Sequence, residues 1–206
     1  MRRDDELLVH LAAAAPPPRS ALLAIDAPIV CPNPTGTRPV DRLTHRLFHR
    51  EHAACHPANA GRCPRPARLL ARLVAEQGYV AGTRLARRCR LAAEVYPHPA
   101  LCRLLRLERI VKYKRGPAAA RREEFRRLQR LLRRALRADL GWIAVPPAVG
   151  ALLRMPWSKP VEDRTDALVC ALLGLWHVHH GGRRSQVLGD LDTGFILLPE
   201  DLRDAR

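Results

Sequence analysis

Two acidic residues interrupt apolar segments, where a charged side chain is unexpected. Asp26 lies in the apolar run ALLAIDA at 21–27, and Glu94 lies near the end of LAAEVY at 91–96. Burying a carboxylate is costly unless it is paired or ligates a metal. Because an isolated acid of this kind more often caps a helix or pairs with an arginine, both interpretations stay open for each residue alone.

Two further acids share one face of a predicted helix. Asp163 and Asp166 stand three residues apart in the segment 161–177, and residues at this spacing are neighbours on a helix surface. They could therefore present two carboxylates to the same ion. Oxygen ligands from separate elements are how proteins hold Mg²⁺ or Mn²⁺ against a phosphate. Together with Asp26 and Glu94, this pair predicts a Mg²⁺ or Mn²⁺ site.

The elements that must position these acids alternate between helix and strand. The apolar segments 21–27 and 91–96 are typical of strands buried on both faces. Turn residues and apolar spacing predict a hairpin at 185–199 and helices at 4–14, 40–54, 67–77, 118–137 and 161–177. The fold class is therefore α/β. In open α/β sheets ligands bind beyond the carboxyl ends of the strands, so we expect the acids to converge there.

Charge is distributed unevenly along the 206 residues. The chain carries 36 Lys plus Arg against 20 Asp plus Glu, a formal charge of +16. Residues 102–137 hold 12 Arg and 2 Lys against 3 Glu, whereas residues 160–206 hold 5 Arg against 8 acids. A basic segment beside an acidic one is the layout of a protein that holds a polyanion near a metal. A solvated arginine face on a long helix explains the same charges equally well.

Four histidines form a stripe if the predicted 40–54 helix continues a little further. They are His45, His49, His52 and His56. Histidines four residues apart can bind zinc, but nothing else in the sequence marks a closed four-ligand site. The other interpretation is a polar helix face beside the binding cleft.

Other classes of protein are excluded or disfavoured. The six cysteines include no C-x-x-C pair, which excludes a zinc ribbon and a thioredoxin-like motif and is typical of free thiols in a reducing compartment. No apolar run approaches the roughly 18 residues that cross a bilayer. Nucleophile-elbow, dinucleotide and phosphate-loop motifs are absent. We therefore expect one cytoplasmic domain over residues 1–206 with no membrane partner.

Five short motifs follow one another in an order that is similar to one known family. They are Ile25-Asp26-Ala27-Pro28, Glu94-Val95-Tyr96-Pro97-His98-Pro99, Lys112-Tyr113-Lys114, Trp157-Ser158-Lys159 with Glu162-Asp163-Arg164-x-Asp166-Ala167, and Gly189-Asp190-x-x-Thr193-Gly194-Phe195-Ile196. Each motif is weak by itself. Together they resemble domain-of-unknown-function family 429, described as predicted nucleases of the ribonuclease H fold, from about Ala21 to Pro199.

The resemblance implies a ribonuclease H-like architecture, a mixed sheet flanked by helices, and metal-assisted hydrolysis of phosphodiester bonds in nucleic acid. Asp26 and Glu94 would be the strand-end acids, while Asp163 and Asp166 resemble the last-helix acids of Holliday-junction resolvases. Asp26, Glu94 and Asp166 would ligate Mg²⁺ or Mn²⁺, and two such ions would activate water and stabilise the leaving oxygen. Phosphates would be contacted by Lys112, Lys114, Arg115, Arg121 and Arg122.

The sequence departs from the family pattern at its start. Ribonuclease H-like folds open with a strand hairpin that carries a catalytic Asp, and nothing ahead of the predicted 4–14 helix could form it. We expect either that the start lies further upstream or that this version lacks the first strands and the first acid. In the second case the protein would be a non-catalytic nucleic-acid-binding or partner-binding module that retains the fold.

Overall fold

The computed structural model describes residues 4–203 and alternates helices with strands, as the sequence predicts. Its helices are α1 (Asp4–Ala14), α2 (Pro39–Phe48), α3 (Pro64–Gln77), α4 (Pro97–Leu104), α5 (Ala118–Arg137), α6 (Pro147–Leu152) and α7 (Lys159–His179). Its strands are β1 (Ala21–Ile25), β2 (Val80–Ala81), β3 (Arg90–Glu94), β4 (Ser185–Asp190) and β5 (Gly194–Pro199). The mixed α/β class is confirmed.

The strands form two small sheets joined at one point. A parallel sheet has the order β1-β3-β2, with Ile25 level with Glu94, and β4 and β5 form the predicted antiparallel hairpin. A single bridge between Val95 and Leu197 links the hairpin to the chain just after β3. The carboxyl ends of β1 and β3 therefore lie side by side, at the edge where such sheets bind ligands.

The two predicted buried strands differ in their burial. β3 lies between two neighbours, and all five of its residues are buried. β1 pairs only with β3 among the described residues, and all five of its residues are half-buried, so the prediction of a strand buried on both faces is wrong for β1. Helices nevertheless cover its two faces. α7 packs closely through Gly174, where an added Cβ would lie 3.5 Å from that of Ala24, and Leu73 of α3 joins the cluster that includes Leu23.

Helix boundaries follow the local sequence. α5 begins and ends as predicted and buries the predicted side chains Phe125, Leu128, Leu132 and Leu136. The helix predicted over 40–54 ends at Phe48, because the chain then turns, and His52 adopts a positive φ of 58° that a helix does not allow. The elements β2, α4 and α6 were not predicted, because segments of 2, 8 and 6 residues are too short to show a period.

α7 connects the acidic segment to the centre of the fold. It begins with Pro160 in its first turn, where the missing N–H costs nothing, and carries Glu162, Asp163 and Asp166 near that end. Its later residues, including Trp176, are buried in the main core. Within residues 4–203, no helix is both long enough and apolar enough to cross a membrane.

Candidate active site

A pocket of about 740 Å³ opens beyond the carboxyl ends of β1 and β3. Asp26, which follows β1 directly, lies on one side, and Tyr96 and His98 at the start of α4 lie on another. The loop of residues 110–116 contributes Lys112, Lys114 and Arg115 to its wall. One predicted acid and three predicted phosphate-binding cations therefore line the same cavity.

Asp26 has an unusual electrostatic environment. Its side chain is reached by solvent, yet the surrounding walls remove enough water to raise its pKa to about 6. The nearby Lys114 opposes this rise in pKa, and repulsion from Asp166 adds to it. The influence of Asp166 shows that the structure brings these two carboxylates near one another, and both also line a smaller apolar cleft of about 360 Å³.

Asp166 is held by two groups from the basic loop. The Tyr113 hydroxyl donates a hydrogen bond of 2.7 Å to Oδ1, and the Lys114 ammonium lies 2.9 Å from Oδ2. Burial and the adjacent Asp166 carboxylate raise the pKa of Tyr113, so its hydroxyl keeps its proton and remains a donor. The loop thus holds the Asp166 carboxylate against Lys114, which lines the pocket.

Three acids at the start of α7 form a possible metal-binding group. Oxygens of Glu162, Asp163 and Asp166 lie within 4.8 Å of one another, and these residues could hold a metal ion. Glu162 is buried, Asp166 is half-buried and Asp163 is exposed. All the donors are carboxylate oxygens, the ligand type that Mg²⁺ and Mn²⁺ prefer, so the residues fit a hard divalent cation.

The same three acids already have protein partners. Glu162 accepts hydrogen bonds of 2.8 Å from the Trp157 indole and from Lys159, and Lys159 also lies 2.9 Å from Asp163. A cation bound here would replace lysine ammonium groups as the balancing charge. The negative charges of these carboxylates are therefore balanced by lysine when no metal is bound, and their oxygens remain suitable ligands for a metal.

Glu94 does not join the other predicted acids. It is level with Ile25 in the sheet, whereas Asp26 is one residue further along, and successive residues of a strand point to opposite faces. Glu94 instead accepts two hydrogen bonds from the Arg38 guanidinium, at 2.8 and 2.6 Å. The structure therefore brings together Asp26 and Asp166 and pairs Glu94 with an arginine.

The partner of Glu94 belongs to a buried ionic cluster. The side chain of Arg38 is only 2% exposed and also bonds Asp41, which accepts a further hydrogen bond of 2.9 Å from the backbone N–H of Ala58. One guanidinium thus serves two buried carboxylates. Because Arg38 offsets only part of the cost of burial, the pKa of Glu94 is raised to about 7.

The predicted histidine stripe is broken by the end of α2. His52 and His56 lie beyond that helix and line the pocket, and the Nε2 of His56 is 2.8 Å from the guanidinium of Arg115. His98 is the histidine that the spacing analysis did not single out. Loss of water lowers the pKa of His98 to about 4, so its imidazole is neutral at pH 7.

The remaining predicted phosphate-binding residues divide into two kinds. Arg121 lies over the Trp157 ring at 5.0 Å from its centroid, so its guanidinium is engaged in a cation–π contact. Arg122 is exposed on α5, in the same surface as the exposed Arg126 and Arg130. The pocket cations Lys112, Lys114 and Arg115 and this helix surface therefore form separate sources of positive charge.

Sequence reasoning missed Tyr113, Tyr96, His98 and Arg38 as individual residues. Three of them stand inside the motifs EVYPHP and KYK, so their place in the sequence was noted although their contacts could not be. Nothing in the sequence marked Arg38 as a buried residue, because a single arginine in a loop of mixed composition is common. Its partners are known only from the fold.

Two comparisons with known proteins find nothing similar: neither the curated proteins nor the solved structures include a match to this chain. A family model does match, over residues 6–193, and its description is "Protein of unknown function (DUF429)". This match includes the strand-end and helix acids, the basic loop, and β4 with the turn that follows it, and it ends before β5. With nearly the whole length covered, the chain belongs to this family.

Proposed function

We propose that this protein is a metal-dependent nuclease that hydrolyses phosphodiester bonds in nucleic acid. The observation that carries the proposal is the position of Lys114, whose ammonium lies 2.9 Å from Asp166 and which lines one pocket with Asp26, Lys112 and Arg115. Carboxylates supply metal ligands, and the cations supply contacts to phosphate oxygens.

The proposed fold is ribonuclease H-like. Its support is a parallel sheet with Asp26 following the first strand, together with a late helix whose D-x-x-D-A motif begins at Asp163. Asp166 of that helix shares a cleft with Asp26, which follows β1. The order of motifs along the chain supports the same fold.

The metal would be held by Asp26 and Asp166, with Glu162 and Asp163 beside Asp166. Once bound, Mg²⁺ or Mn²⁺ would activate water and stabilise the leaving oxygen of an in-line displacement. Glu94 has no part in this proposal, since Arg38 occupies both of its oxygens.

The protein's own groups have defined tasks in this proposal. With a pKa of about 6, Asp26 is ionised at neutral pH and can ligate a cation or accept a proton from water. The Lys114 ammonium lies 2.9 Å from Asp166. When a metal takes its place there, the ammonium can contact a phosphate oxygen instead. Lys112 and Arg115 bind the phosphates on either side.

One observation favours a second candidate, a nucleic-acid-binding module without catalysis. Both oxygens of Asp166 are already satisfied, by Tyr113 and by Lys114, and Glu94 is satisfied by Arg38. A pocket neutralised in this way can bind phosphate through its remaining cations and needs no metal. Such a protein would bind nucleic acid in a salt-sensitive manner and would not cut it.

Cleavage of labelled nucleic acid separates the two candidates. Purified protein is incubated with single-stranded and double-stranded DNA and RNA in Mg²⁺, in Mn²⁺ or in EDTA, and products are resolved on a gel. We expect cleavage with metal and none with EDTA. Asp166→Asn should reduce the rate by about 100-fold, because the metal would lose one of its carboxylate ligands.

Asp192→Asn is the matched control, since Asp192 is an exposed acid in the turn between β4 and β5. It should cut at the wild-type rate. Salt-sensitive binding without any metal-dependent cleavage would support the non-catalytic module instead. Undiminished cleavage by Asp166→Asn would remove the proposed site.

A further inference from the structure

The pocket contains a second set of groups that phosphodiester hydrolysis does not need. Ala54, Ile110 and Val111 contribute apolar surface, and Tyr96 contributes an aromatic ring. A phosphate and its metal use charges and polar atoms alone. The apolar wall therefore indicates that the ligand also carries a flat or apolar portion.

The aromatic side of this wall is held rigidly. The Tyr96 hydroxyl donates a hydrogen bond of 3.2 Å to the carbonyl oxygen of Ala54, and the His98 ring meets the Tyr96 ring edge-on at a centroid distance of 5.7 Å. Fixed aromatic rings are the surfaces on which nucleobases stack in single-strand-binding proteins. This contact is tolerant of base identity, because every base has a π face.

His98 adds hydrogen-bonding capacity to the same wall. No hydrogen bond of its imidazole is found with any residue in the described part of the chain, and it lines the cavity. A neutral imidazole offers one donor and one acceptor. That pairing matches the edge of a base, which presents both donors and acceptors.

The dimensions fit one enclosed nucleotide. A volume of about 740 Å³ lies within the range of roughly 300–1,000 Å³ typical of sites that enclose a small ligand. A paired and stacked base inside a duplex cannot enter such a cavity, whereas an unpaired base can. The cations Lys112, Lys114 and Arg115 line the same cavity, so they are available to the phosphates attached to such a base.

We propose that the pocket binds an unpaired nucleobase, so that the substrate is single-stranded nucleic acid or a nucleotide extruded from a duplex. The inference rests on the proposed function for the phosphate-binding side and on Tyr96, His98 and the apolar wall for the base. It identifies the substrate class of the same site.

Binding measured in EDTA tests the inference without cleavage. The probes are a 12-nucleotide DNA strand with a central 2-aminopurine, a 12-nucleotide strand with an abasic site at every position, and the duplex of the first strand. We expect the 2-aminopurine strand to bind about ten-fold more tightly than the abasic strand or the duplex, with a change in its fluorescence as the base stacks.

Filling the cavity should remove this preference. Ala54→Leu places a larger side chain on the apolar wall, changes no charge and should lower affinity for the 2-aminopurine strand to that of the abasic strand. Ala75→Leu on α3 is the matched control, since Ala75 is exposed and does not line the pocket. It should bind all three probes as the wild type does.

Equal binding of the abasic and base-containing strands by the wild type would overturn the inference, and this comparison needs no variant to fold. The inference would also be contradicted if Ala54→Leu kept the wild-type preference for the 2-aminopurine strand over the abasic strand. A base preference without metal-dependent cleavage would refute the nuclease and leave the base pocket standing. Cleavage without a base preference would support the nuclease and refute the base pocket.

Discussion

Asp26 and Asp166 have different environments although both line the apolar cleft of about 360 Å³. Asp166 is surrounded by donors, since Tyr113 and Lys114 hold its two oxygens at 2.7 and 2.9 Å. Asp26 has lost water without gaining an equal number of donors, and its pKa rises to about 6. A carboxylate whose pKa is raised by loss of water, beside a lysine and a second acid, is typical of sites that perform acid–base or metal chemistry.

Ionising Asp26 therefore costs the folded protein stability. Its folded-state pKa of about 6 exceeds that of the unfolded chain, so the folded state binds the proton more tightly. The cost is absent at low pH and appears as the pH rises from about 4 through about 6. A metal bound by the ionised form would offset this cost, so metal binding should strengthen over the same range.

Side-chain carbon NMR measures this titration directly. We expect the Asp26 carboxyl to titrate near pH 6, Lys114→Met to raise that pKa because a neighbouring cation is lost, and Asp166→Asn to lower it because a neighbouring anion is lost. Asp192→Asn, remote from the pocket, should leave it unchanged. If Asp26 titrates near pH 4 like an ordinary aspartate, the pocket does not withdraw water from it.

From the sequence we expected Asp26, Glu94 and Asp166 to converge, but only Asp26 and Asp166 share a cleft, and the register between strands explains the difference. An acid near the end of an apolar run can point to either face, and the face depends on the register between strands, which spacing along one chain does not contain. Ile25 opposite Glu94 sets that register and directs Glu94 toward Arg38. Arg38 is 56 residues away in sequence, so its role was invisible before the fold.

At the scale of elements, the cluster of Arg38, Asp41 and Glu94 joins the start of α2 to the end of β3. Arg38 also donates a hydrogen bond of 2.9 Å to the carbonyl oxygen of Val30, and its side chain lies 3.1 Å from where a Cβ on Gly194 would be. Gly194 has a positive φ of 113° and leaves that space free. Four segments thus meet around one buried guanidinium.

Removing the guanidinium should destabilise the protein strongly. Arg38→Met leaves two buried carboxylates without their cation, and breaking a buried pair costs roughly 3–5 kcal/mol of unfolding free energy. Arg42→Met is the control, because Arg42 is exposed and its side chain bonds only a backbone carbonyl; its cost should stay below about 1 kcal/mol. Urea denaturation compares the two, and equal stabilities would show that the cluster is not a structural anchor.

Helices and strands were predicted correctly where the apolar pattern in the sequence is long, and the predictions failed where the chain turns. The 20 residues of α5 contain enough turns for their apolar spacing to define both ends. The histidine stripe was wrong because polar spacing alone cannot show that α2 ends at Phe48. The half-buried state of β1 was missed because its apolar composition is the same whether one edge or two are paired.

At the scale of the whole molecule, the net charge of +16 includes two local concentrations of positive charge. One is the exposed arginine surface of α5, which includes Arg122, Arg126 and Arg130. The other is the set of cations Lys112, Lys114 and Arg115, which line the pocket with Asp26. In the proposed function, the helix surface would attract a polyanion over a distance that salt screens, whereas the pocket cations would contact its phosphates.

Metal binding at Asp166, the central proposal, is tested most directly by uptake of Mn²⁺ followed by electron paramagnetic resonance. Adding wild-type protein at pH 8 should reduce the signal of free Mn²⁺, and Asp192→Asn should do the same. Asp166→Asn should leave most of the signal, while Lys114→Met should bind Mn²⁺ more tightly because the competing ammonium is gone. Uptake by Asp166→Asn equal to that of the wild type, or no uptake by the wild type, would contradict the account.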